Sequence, residues 1–524
     1  MKREHSVYWV VVVLLLANLT AVSAAPSIGA LQIKPESYNV QEFGAIADGK
    51  VKDTEAVQQA IDACYDEGGG TVYFPPGTYL TGSIHLRSNV ALYLDHGALL
   101  RASTDDADFD PYEELEFEND ADHETSYFHY AHIRGEDIEN VAILGTGTID
   151  GNRTSRGGPK SMALKRCKHV TIQDITILNA PNYAISMLGT DYVNIDGVNI
   201  FNGYSDGIDP DGCKHVRIAN CQIETYDDAI VPKASFSLGE RRAVEHLTVT
   251  NCMLATNCNG FKLGTESGGG FKYITVSNCV IYNRDPAGPT VSGRDTGRPP
   301  ISGIALESVD GGDIDGVTVS NISMINVRTP IFLRLGNRGR DMDTPVPGTL
   351  KNVIISNVVA TGAQLPSPIV GIPAGDIENV LLDNIRITYA GGGTIEQTSI
   401  EVPEHEGKYP EATMFGTLPS YGFFCRHVTG LTLQDVSLTL QSPDYRHALI
   451  ADDASRLHID SFEAQQSPGG ESVMRLHGVT QVMIRGCMPA DGTGQFLKVV
   501  DNRWEEITLT GNDFSRIKQT FTNQ

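Results

Sequence analysis

Residues 204–209 read YSDGID and residues 226–231 read YDDAIV. Carboxylates this dense have three physical uses. Asp dominates turns because its side chain bonds neighbouring peptide groups. Several together make an oxygen site for calcium. Held close, they repel, so one keeps a proton while another stays ionised, which is the pairing that glycoside hydrolysis needs. A turn role accounts for Asp211, Asp313 and Asp315. It accounts less well for the adjacent Asp227 and Asp228 with Asp206 some twenty residues before them.

What positions these acids is a weak internal repeat. HVTIQDITI (169–177), YVNIDGVNI (192–200), HVRIANCQI (215–223), HLTVTNCML (246–254) and YITVSNCVI (273–281) are followed by GVTVSNISM (316–324), NVIISNVVA (352–360), NVLLDNIRI (379–387) and GLTLQDVSL (430–438). Each unit alternates apolar and polar residues, the period of a strand with one buried face. The sixth place is always Asp, Gly or Asn, from Asp174 through Asn278 to Asp435, which tolerate a left-handed corner. Units of this length with strands and no helices predict an all-β fold, a parallel β-helix whose coils share one core. The run DTEAVQQAIDACYDEGG (53–69) predicts a short capping helix with Ala56, Val57, Ala60, Ile61 and Cys64 on one face. Residues 104–125, 282–300 and 388–424 read as loop excursions, and 445–520 as less regular coils.

Counting from each unit's start puts the acids in near register. Asp206 lies 14 residues after Tyr192, and Asp227 and Asp228 lie 12 and 13 after His215. Asn259 and Lys262 lie 13 and 16 after His246. One side of three successive coils, about 4.8 Å apart, should carry them all.

The formal charge of -25 and the lack of a basic stripe argue against nucleic acid as a partner. Residues 1–25 have a basic start, an apolar run and small residues before Pro26, the parts of a secretory leader. Cleavage would release a secreted or periplasmic protein of one domain, 26–524, with its catalytic region at about 160–345 and no membrane contact. An uncleaved anchor is the alternative. Nine cysteines without CxxC or metal spacing are no disulfide scaffold. Cys221, Cys252 and Cys279 share one repeat place and read as stacked core residues, with a few disulfides open elsewhere.

The chain resembles the polygalacturonase or pectinase family, glycoside hydrolase family 28, as a divergent member. The likeness runs through NVQEFGAIADGK, DTEAVQQAIDAC, GGGTVYFPPGTYLTG, GTGTIDGN, SDGID and DD, in that order. It implies a single-stranded right-handed parallel β-helix and an inverting glycosidase without a cofactor or metal, cleaving O-glycosidic bonds in a pectic polysaccharide or oligosaccharide and expected to be a monomer. It implies Asp227 as proton donor, Asp206 and Asp228 as the pair activating water, and Asp209 as a supporting residue.

The departures bear on substrate. The family's Gly-His-Gly is Cys258-Asn259-Gly260 here, and its Arg-Ile-Lys, which binds the uronate carboxylate, is Ala305-Leu306-Glu307. Glu307 reverses a charge, so Lys262, oriented by Glu266, and Arg334, with Arg338 and Arg340 nearby, are the compensating candidates. Tyr204, Tyr226, Tyr421 and His427 are candidate groove residues. A calcium-dependent polysaccharide lyase and a non-catalytic carbohydrate-binding solenoid are the competing functions.

Overall fold

The computed structural model describes residues 37–284, 298–501 and 504–523. The leader at 1–25 and most of the 282–300 excursion lie outside them. Every strand ladder among the described residues is parallel, each coil pairing with the next along a right-handed β-helix. The repeat units stack in the register their sequences predict. Val170 pairs Val193, then Val216, Leu247, Ile274, Val317, Val353, Val380 and Leu431 in an unbroken file.

The sixth-place residues all take positive φ, from Asp174 at 60° to Asp435 at 49°. They lock together as well as turn. Asn321 Nδ2 donates to Asn278 Oδ1 at 3.0 Å, and Asn357 and Asn384 continue the ladder at 2.9 and 2.8 Å. A second left-handed corner falls on the first place of each unit, which the alternation does not announce. There His169, Tyr192, His215, His246 and Tyr273 stack ring on ring, with centroids 4.7–5.5 Å apart. Stacking offsets the cost of holding bulky residues in that conformation.

The capping helix spans Thr54–Asp66 and buries Val57, Ala60, Ile61 and Cys64. Asp53 precedes it, yet its carboxylate accepts from the Ile46 and Ala47 amides at 2.7 and 3.1 Å rather than capping the helix. Cys221, Cys252 and Cys279 are buried in one file of the core. All nine cysteines are free, so the disulfides left open elsewhere do not form. The last coils keep the parallel register in shorter strands, Leu449 to Met474 to Leu497 to Phe521. The second long excursion stops sooner than its composition suggests, because a strand begins at Ser420. No described helix is long and apolar enough to cross a membrane.

Candidate active site

Three coils meet at the acids. Ile208 bridges Ile230, which bridges Phe261, so Asp206, Asp228 and Asn259 share one register position. The one-residue mismatch in their spacing is absorbed by an irregularity between Ile200 and Gly203. Ser302 extends the file, pairing with Asn259 and donating to Asn259 Oδ1. Asp209 and Lys262 likewise share the next outward file, and Asp211 and Lys233 the one after it.

Each carboxylate in the file is held by a cation. Lys233 Nζ donates to Asp206 Oδ2 at 2.8 Å, to Asp209 Oδ2, and to Tyr183 Oη at 3.0 Å. The Asp228 amide donates to Asp206 Oδ1 at 3.2 Å, binding one coil's acid to the next. Asp228 Oδ1 accepts from the Asn259 amide at 2.9 Å and from its Nδ2 at 2.7 Å, while Lys262 Nζ lies 3.4 Å from Oδ2. Asp227 is turned the other way: Arg156 Nη1 donates to its Oδ2, and the same guanidinium clamps Glu124.

Burial decides the electrostatics. It pushes the Asp206 and Asp209 carboxyls up to about 7, against the pull of Lys233. Two carboxylates on one ammonium leave a surplus negative charge, so the set takes up a proton far more readily than an isolated Asp. Burial also raises Asp228, opposed by Lys262. It works against charge on both lysines, yet the surrounding carboxylates hold Lys233 and Lys262 well above the usual lysine value.

Of the residues expected to bind substrate, Asp209, Asn259 and Lys262 stand with the acids. Glu307 does too, with Lys262 Nζ 3.9 Å from its Oε2. Glu266 does not orient Lys262. It pairs with Arg340 Nη1 at 2.6 Å, and Lys233, Arg340 and Arg338 hold it below the usual range despite burial. Arg334 is sealed from solvent and donates to the carbonyls of Gly371, Glu404 and His405 at 2.8–3.0 Å, so its guanidinium is spent on anchoring a loop. Arg338 is taken by Asp310 at 2.6 Å. Tyr204 and Tyr226 are buried and stacked at 5.6 Å, with Arg284 3.6 Å over Tyr226. Tyr421 is buried, and His427 pairs with Asp453.

Sequence reasoning passed over Lys233, Arg156, Glu124, Tyr409 and Glu411. Lys233 was findable, because it sits two places beyond Val231 on the outward alternation. The others come from irregular segments with no period. Glu411 Oε1 accepts from Asn259 Nδ2 at 3.1 Å and lies 3.7 Å from Lys262 Nζ, and the Tyr409 ring lies 5.8 Å from it.

One cluster has the shape of a metal site. An oxygen each of Asp227 and Asp228 and the Cys258 sulfur lie within 4.8 Å of one another. Burial keeps the Cys258 thiol protonated, its titration raised well above the usual value. A protonated thiol suits calcium badly, since that cation takes six to eight oxygen ligands.

The arrangement therefore offers a held carboxylate pair, Asp206 and Asp228, with a third acid beside it. Residues 108–406 match the model of the glycosyl hydrolases family 28. A probable polygalacturonase of Vitis vinifera is 24% identical over 393 residues, covering 69% of this chain and 76% of that protein. An exo-poly-alpha-D-galacturonosidase of Dickeya chrysanthemi is 23% identical, covering 70% and 69%. A solved exopolygalacturonase from Thermotoga maritima superposes with a TM-score of 0.60 at 20% identity, over 78% of this chain and 93% of that one. On the family match and the register of its acids, the chain belongs to the glycosyl hydrolases of family 28.

Proposed function

We propose that this glycoside hydrolase cleaves a pectic polysaccharide or oligosaccharide by single displacement, with Asp227 as proton donor and Asp206 and Asp228 as the pair that orients the attacking water. The observation that carries this is the Asp206–Asp228 file, in which each acid is fixed by its own lysine and by the neighbouring coil's amide. Lys233 and Lys262 favour the ionised forms, so these two acids accept a proton from water as it attacks. Asp227 stands at the adjacent register position and outside that file, where a glycosidic oxygen can reach it once Arg156 gives way. Arg156 then offers its guanidinium to an acidic sugar, matching a carboxylate bidentately. Asn259 holds Asp228 in place of the family's histidine.

The closest oxygens of Asp227 and Asp228 lie within 4.8 Å, nearer than the roughly 6.5–9.5 Å usual between the carboxyls of inverting pairs. Inversion accordingly rests on the family likeness and on the third acid, Asp206, sharing the water. Product analysis tests the reaction class. Purified protein on polygalacturonate, rhamnogalacturonan and neutral pectic side chains should release reducing ends without the ultraviolet absorbance of an unsaturated uronide. Asp227→Asn should abolish the release and a chelator leave it unchanged. Calcium-dependent absorbance would make the protein a lyase instead.

The leader-like residues 1–25 support action outside the cytoplasm. Amino-terminal sequencing of the exported protein should begin near Ala25 or Pro26. Retention of the leader on membranes would indicate an anchored form.

A further inference from the structure

The outward face of the catalytic sheet does not end at the active site. Glu307 pairs Arg334, then Val370, Arg426, Asp452 and His477 in one file. Across its middle lies the 390–419 excursion, seated by Ala412, Phe415 and Leu418 on Ala305, Phe332, Val370 and Phe424. Glu411 on this saddle accepts from Asn259, which in turn holds Asp228. The stretch Thr398–Val402 instead walls a cleft of about 490 Å³, which Arg426, Asp452 and His477 also line. Three to five coil steps separate these residues from Glu307, roughly 14–24 Å. The volume falls within the range of small-ligand sites, about 300–1,000 Å³.

Its lining has the chemistry of a sugar-acid site. Phe424 and Ile450 give an apolar floor, and the same outward file runs on to Arg475 and Lys498. The Arg475 side chain has no hydrogen bond or ion pair among the described residues, and Lys498 lies one coil further, 3.5 Å from Glu471. His447 is buried, and burial lowers its titration to about 4, so the ring is neutral. Its Nδ1 lies 2.8 Å from the Ser472 carbonyl and must donate, which leaves Nε2 as an acceptor. Glu401 and Glu471 also line the cavity and offer carboxylate oxygens to hydroxyls. A free guanidinium beside an ammonium binds a carboxylate, and acceptors around an apolar floor bind a pyranose.

We infer that this cleft is a second, non-catalytic binding site for an acidic oligosaccharide, holding the chain on the same face as the hydrolytic site but across the saddle. The ligand class rests on the proposed uronate-bearing substrate, whereas the existence of the site does not. Isothermal titration of the full chain carrying Asp227→Asn with a galacturonate trisaccharide should show two classes of site. Arg475→Ala with Lys498→Ala should remove one class or weaken it at least tenfold, with the melting temperature unchanged. A neutral trisaccharide should show no Arg475-dependent class. A single class indifferent to both substitutions would overturn the inference, as would equal Arg475-dependent binding of the neutral sugar. Hydrolysis assayed separately with Asp227 intact distinguishes the two proposals. Trisaccharide cleavage by the Arg475→Ala, Lys498→Ala protein at the wild-type rate is expected. Loss of all cleavage in wild type would defeat the function, while the titration would still decide the cleft.

Discussion

Lys262 Nζ lies 3.9 Å from Glu307 Oε2, and neither side chain is more than 3% exposed. Both Glu307 oxygens are buried without a hydrogen-bond partner. Gly264 lies between them in sequence at φ +113°, and a Cβ there would sit 3.2 Å from the Glu307 Cβ. Lys262 thus stands one coil before the Ala305-Leu306-Glu307 stretch, within 4 Å of Asp228, Glu411 and Glu307 together. Burial pushes Glu307 well above the usual carboxylate range, and Lys262 opposes that push.

Removing one partner of such a pair is expensive. Lys262→Met should cost about 3 kcal/mol, because it leaves buried carboxylates uncompensated. Adding Glu307→Gln should restore about 1–3 kcal/mol of that loss. Denaturant unfolding of the wild type, both single variants and the double variant checks the coupling. Additive losses would contradict it.

Lys233 sets the acid limb of the pH profile. It lowers the Asp206 carboxyl against burial, and Asp206 must be ionised to accept a proton. Lys233→Met should therefore raise the Asp206 titration and move the acid limb of kcat/KM upward by about 1–3 pH units. A limb that stays in place would remove Asp206 from the base role.

Asn259 acts through Asp228. Losing its side-chain hydrogen bond to a charged group, worth about 1.5–3 kcal/mol, should lower kcat roughly 10–100-fold in Asn259→Ala with little change in KM. An effect confined to KM would make Asn259 a substrate contact instead.

Arg334 anchors the 404–405 backbone from a position sealed from solvent. Arg334→Met should lower stability by about 3 kcal/mol, since it orphans several buried carbonyls. At a temperature where the variant is folded, its KM for an acidic oligosaccharide should match wild type. A tenfold rise in KM without destabilisation would return Arg334 to the binding site.

Two excursions wall the acids, Glu124 reaching Arg156 from one and Glu411 reaching Asn259 from the other. Such walls favour a chain end over the middle of a polymer. Reducing ends should then rise while the viscosity of polygalacturonate falls slowly, with one small product from the outset. An early collapse of viscosity would show internal cleavage.

The solenoid and its register were legible because each coil repeats the same alternation and the same left-handed corner. Asp206, Asp228 and Asn259 could be aligned by counting, since the strands that carry them are periodic. The groups that finish the site were not legible. Arg156, Glu124, Tyr409 and Glu411 sit on segments without period, and only the folded chain brings them to the acids. Arg334 misled because basic residues near a groove look alike in sequence, whether they meet substrate or backbone carbonyls. Glu266 misled through proximity to Lys262 along the chain, where the backbone carries its side chain to Arg340 instead.

Single displacement by water held between Asp206 and Asp228 inverts the anomeric centre. Proton NMR of the first product formed from an oligosaccharide of known linkage, recorded before mutarotation, reads this out. A product anomer opposite to that of the bond broken is expected, and none with Asp227→Asn. A product of retained configuration would contradict it, making one of these acids a nucleophile.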